Sequence, residues 1–90
     1  MNGTDVPRLT NEQVGDLIGL SHASVSRIKV GLRLPSLEIM RQIEQVMDWP
    51  LHAQAEARAV SARNYANIFL SKIDQLALKL HAERPDEPVE

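Results

Sequence analysis

The residues best equipped for chemistry lie between positions 21 and 33. His22, Arg27, Lys29 and Arg33 are interspersed there with Ser21, Ser24 and Ser26, and no Asp or Glu occurs from Leu17 to Leu37. Such a set offers hydrogen-bond donors and positive charge with no nearby acid to neutralise them. It suits the binding of an anionic surface rather than acid–base catalysis. The remaining candidates for reactivity are sparse. His22, His52 and His81 are isolated and form no recognisable metal-ligand pattern, and the absence of cysteine removes thiolate sites and disulfides. There is no glycine loop to cradle a phosphate and no nucleophile elbow. The expectation is a protein without catalytic residues, metal, cofactor or small-molecule substrate.

The basic stretch needs a scaffold, and the apolar spacing supplies one. Val14, Leu17 and Ile18 fall at i, i+3 and i+4, one face of a short helix, with Asn11 available as its cap and Glu12 in its first turn. Gly19 breaks the pattern and accepts the left-handed backbone that ends a helix. Ser21 offers a second cap, and Val25 and Ile28 anchor a second helix from beneath. Its other face, His22, Ala23, Ser26, Arg27 and Lys29, is small, polar or basic. Two short helices joined by a glycine turn form a helix-turn-helix plan, although a generic helical hairpin has the same spacing.

The identities at particular positions are more specific. Counted from Asn11, Gly15 is fifth, Gly19 ninth, Leu20 tenth, Val25 fifteenth and Ile28 eighteenth. In these five positions the stretch resembles the helix-turn-helix of the lambda-repressor-like (Xre- or Cro-like) DNA-binding family. There a small residue, a glycine and three apolar residues occupy the same places. The resemblance continues through Gly31 and Pro35-Ser36-Leu37-Glu38 to Met47, covering roughly residues 9–50. It implies double-stranded DNA as partner and a second helix lying in the major groove. Carried onto this chain, Ser21, His22, Ala23, Ser26 and Arg27 would face base edges. Asn11, Gln13, Ser24, Lys29 and Arg33 would face phosphates. Among small proteins of this family the chain is most like a phage immunity repressor, in the cytoplasm of a bacterial cell.

The whole chain of 90 residues carries a net charge of −2, which alone does not favour a nucleic-acid partner. The distribution is more informative. Acids gather elsewhere, as at Asp86, Glu87 and Glu90, leaving a basic face on an acidic body. At 43% hydrophobic and 24% charged residues the composition is that of a globular domain, and no apolar run approaches a membrane span.

Four segments follow. Residues 1–9 form a tail or arm, where the family usually has a further helix; Arg8 could touch phosphate there. Residues 10–50 form the DNA-binding domain, with Leu37, Met40, Ile43, Val46 and Met47 as the core stripe of a helix capped by Ser36. Trp49, the one tryptophan, is expected half-buried at the junction that follows. Residues 51–83 read as helix, rich in Ala, Leu, Lys and Glu without Gly or Pro. A heptad-like seam runs through Ala55, Ala59, Ala62, Ala66, Phe69, Ile73, Leu76 and Leu80. It either serves self-association, chiefly from Ala62 to Leu80, meets another protein, or folds back after a break between Ser61 and Asn67. In the last case it would cover the face left open by the missing helix. Residues 84–90 read as a disordered acidic tail. The expected fold is all-α: a small helix-turn-helix bundle with a long C-terminal helix or helical pair.

Three functions fit: a DNA-binding repressor acting as a homodimer, an antitoxin-type regulator whose C-terminal helix holds a toxin, and a helical protein-binding adaptor. The acid-free basic face argues against the third.

Overall fold

A computed structural model describes residues 7–83 and has five helices: α1 (Asn11–Ile18), α2 (His22–Lys29), α3 (Leu37–Met47), α4 (Leu51–Val60) and α5 (Ala62–Glu83). No strand occurs among the described residues. The acidic tail and the first six residues lie outside them.

Each early helix begins at a side-chain cap. Thr10, not Asn11, caps α1: its hydroxyl accepts from the Gln13 N–H at 3.1 Å, while the Gln13 side-chain oxygen accepts from the Thr10 N–H at 2.8 Å. That reciprocal pair forms because Gln13 stands three residues after Thr10; Asn11 is already in the first helical turn. Ser21 and Ser36 cap α2 and α3 by accepting from the N–H groups of Ser24 and Ile39.

The turn between α1 and α2 depends on two glycines. Gly19 adopts φ 80°, and the N–H groups of Gly19 and Leu20 both donate to the Gly15 carbonyl. At Gly15 a Cβ would lie 2.2 Å from the Leu20 carbonyl oxygen, so only glycine allows the two helices to meet here. The end of α2 is closed by a double bond pattern, Gly31 N–H to the Ile28 carbonyl and Leu32 N–H to the Arg27 carbonyl. Gly31, also at φ 80°, packs against the backbone of Ala62 and Arg63.

The helix-favouring run from 51 to 83 does break, at Ser61. Its backbone is extended, its N–H donates to the Ala57 carbonyl and its hydroxyl accepts from the Asn64 N–H at 2.9 Å. The Asn64 side chain returns to the Ala57 carbonyl at 3.3 Å. Two polar residues thus satisfy groups at the end of α4 and the start of α5, which offsets the loss of helical bonds at the corner. At the other end of α4, Pro50 offers no side-chain cap, and Glu44 accepts from the Leu51 N–H instead.

Because of the corner, α5 returns along the domain and packs on α2 and α3. Val14 and Ile18 of α1, Val25 and Ile28 of α2, Ile43 and Met47 of α3, and Ala57 of α4 meet Tyr65, Phe69, Ile73 and Leu76 of α5 in one core. The seam residues Ala66, Phe69, Ile73 and Leu76 therefore face the chain's own interior. Ala55, Ala59 and Leu80 are exposed and Ala62 is half-buried, so the eight positions do not form one continuous outer stripe. Pro7, Arg8 and Leu9 line grooves with α5, sharing one with Ala77 and Leu80 and the other with Leu70 and Leu78. Trp49 is more buried than its position suggested, at 3% exposure, because its ring packs on Tyr65 with centroids 4.7 Å apart.

A buried polar group ties α3, α4 and α5 together. Gln54, fully buried, donates to the carbonyls of Met40 and Trp49 and accepts from the Tyr65 hydroxyl at 2.7 Å. Burial holds the Tyr65 phenol protonated well above its ordinary range, and the nearby Arg58 charge only partly opposes this.

Candidate nucleic-acid interface

Helix α2 divides into two faces. Val25 and Ile28 are fully buried and fix it to the core, whereas Ser21, His22, Ala23, Ser26 and Arg27 are exposed. These five are the residues expected to face base edges, and they stand at the N-cap and along the outer surface of one helix. Their side chains form a donor-rich edge, and α2 itself carries no carboxylate.

The residues expected to face phosphates divide into two groups. At the end of α2, the Lys29 ammonium donates to the Asn11 side-chain oxygen, joining the start of α1 to the end of α2; both residues are half-buried. Gln13 is exposed, with its amide oxygen engaged by the α1 cap. At the other end, Arg33 reaches back from the loop and donates to the Ser24 hydroxyl oxygen at 2.6 Å.

Ser24 stands apart from the others. It is only 8% exposed, and its oxygen accepts from both Arg33 and the Ser21 hydroxyl. A direct phosphate contact is therefore not how this side chain is placed. Its register carries the signal for this: Ser24 precedes Ile28 by four residues and shares its inward side. Nothing comparable marks Gln54, a glutamine between Ala53 and Ala55.

Arg8 is exposed and lines the groove that also contains Lys29 and Asp74. Among the described residues no group of three or more His, Cys, Asp or Glu is placed to hold a metal ion. No helix among them is long and apolar enough to cross a membrane.

A helix-turn-helix family model matches residues 8–52, half of the chain, spanning α1, α2, α3 and the entry to α4. No curated protein and no solved structure matches the chain. The matched segment holds the glycine turn, the anchored second helix and the outward basic edge. The chain belongs to the lambda-repressor-like helix-turn-helix family, whose domain is that of DNA-binding transcriptional regulators.

Proposed function

We propose that the chain is a sequence-specific repressor of the phage immunity or Cro type, acting in the cytoplasm of a bacterial cell. It reads operator DNA with α2 in the major groove. The observation that carries this reading is the division of α2, apolar residues sealed beneath and His22, Ala23, Ser26 and Arg27 outward. Arg27 can make paired hydrogen bonds to guanine, His22 can donate or accept, and Ala23 can touch a thymine methyl. Asn11, Gln13, Lys29 and Arg33 flank that row and suit phosphates, which set register without reading sequence.

Operators of this class are two half-sites, so the reading includes a homodimer. With Phe69, Ile73 and Leu76 inside the domain, the surface left for a second copy on α5 is the exposed Leu70, Leu78 and Leu80. The same leucines favour a second reading, an antitoxin-type regulator that holds a toxin there. A gel-shift titration on DNA upstream of the chain's own gene, at two salt concentrations, tests the regulator reading. One discrete complex resistant to excess random DNA is the expected result. No shift from a folded protein at low salt contradicts it.

A further inference from the structure

We infer that Ser24 is a positioning residue for DNA binding: its buried hydroxyl holds the Arg33 guanidinium beside the first turn of α2, presetting a cation for a DNA phosphate. The inference rests on the DNA-binding reading and adds a residue that does not itself touch DNA.

The placement of Arg33 is unexpected for a residue in the loop after α2. An eight-residue helix is about 12 Å long, and Arg33 follows its far end. Yet its guanidinium nitrogen lies 2.6 Å from the Ser24 oxygen, near the helix start. The bond brings the guanidinium to the first turn of α2, beside the residues expected to face base edges. Ser24 is built to receive it. The Ser21 hydroxyl accepts the Ser24 N–H and donates to the Ser24 oxygen at 3.2 Å, so the capping bond and the Arg33 bond converge on one buried serine.

A purely structural purpose is already met by other contacts. The loop from 31 to 35 is held by the paired bonds at the end of α2 and by Gly31 against Arg63. The Pro35 carbonyl also accepts from Arg58 at 3.1 Å. What the Ser24 bond adds is the position of a charge. A guanidinium has five N–H donors, and one bond to Ser24 leaves the others for an anion. The stretch from Leu17 to Leu37, which contains both residues, holds no carboxylate. An arginine already ordered in the free protein has less side-chain freedom to lose when it meets a phosphate.

The test combines a double-mutant cycle with a measurement on the unaltered chain. Affinity for a random-sequence DNA duplex is measured by fluorescence anisotropy across a salt series for wild type, Ser24→Ala, Arg33→Ala and the double variant. Ser24→Ala is expected to weaken binding roughly three- to tenfold. Arg33→Ala should weaken it further and lower the salt slope by about 1. Adding Ser24→Ala to Arg33→Ala should then cost nothing more. A Ser24→Ala loss that is the same with and without Arg33, or no loss while Arg33 is present, overturns the inference. Nitrogen-15 NMR of wild type is independent of how well Ser24→Ala folds. Slow rotation of the Arg33 guanidinium in the free protein is expected, and free rotation overturns the inference. A folded wild type that fails to bind DNA at low salt instead overturns the reading beneath it, whereas binding with additive losses overturns the Ser24 role alone.

Discussion

Arg27 and Val25 are two residues apart on α2, one exposed and the other fully buried, and that contrast separates recognition from scaffold. If Arg27 reads a guanine, Arg27→Ala should cost about 1–3 kcal/mol on the selected operator and much less on random DNA. Competitive anisotropy with both duplexes checks this; equal losses on the two would make Arg27 a phosphate contact. The outward residues could be named in advance because a short amphipathic helix leaves few choices of face. The partners of polar residues could not. Asn11 suits a cap by type, but the Thr10–Gln13 pair has the better spacing and leaves Asn11 to Lys29. Ser24, expected at a phosphate, is instead buried and accepts from Arg33. Hydrogen bonds across nine or eighteen positions depend on how the helices meet, which local spacing does not encode.

At the scale of elements, the turn between α1 and α2 was legible because glycine has few reasons to be there. Gly15→Ala should destabilise the fold by about 2–3 kcal/mol, since its methyl would collide with the Leu20 backbone. Chemical denaturation measures this; an unchanged midpoint would show that the helices can separate at little cost. The corner at Ser61 was harder to anticipate, since a run of good helix formers surrounds it. It depends on Ser61 and Asn64 acting together, and on Tyr65 and Phe69 finding a core to enter. Tyr65→Phe should cost about 1–3 kcal/mol, because the Gln54 oxygen is left buried without a donor. The phenol is held protonated in the folded state, so its contribution is complete below about pH 10, where the unfolded phenol is also protonated. As pH rises past that value only the unfolded chain readily loses the proton, and stability falls. Thermal unfolding followed from neutral to alkaline pH should show this decline in wild type and a flatter curve in Tyr65→Phe. As the one tyrosine, Tyr65 also reports its own ionisation by absorbance.

The whole molecule sets basic residues against a slightly acidic total, so long-range attraction to DNA is weak and close contacts carry the binding. The class of fold could be read from helical spacing alone, but where the last helix goes could not. The same four-and-three spacing serves a coiled coil or an internal core, and here the corner at Ser61 turns Phe69 and Ile73 inward. If the chain pairs with a second copy, as proposed, that association should depend on the exposed leucines of α5. Leu78→Glu is expected to leave the fold intact and reduce dimer formation on DNA, read by sedimentation; an unaltered dimer would place the contact elsewhere. Sequence-specific operator binding is tested most sharply by selection from a randomised duplex pool, followed by competition between the enriched sequence and random DNA. One enriched motif with two related halves is expected, bound at least a thousandfold more tightly than random duplex, roughly the lower bound for specific regulators. Affinity that is the same for every duplex, falling only with salt, would contradict it.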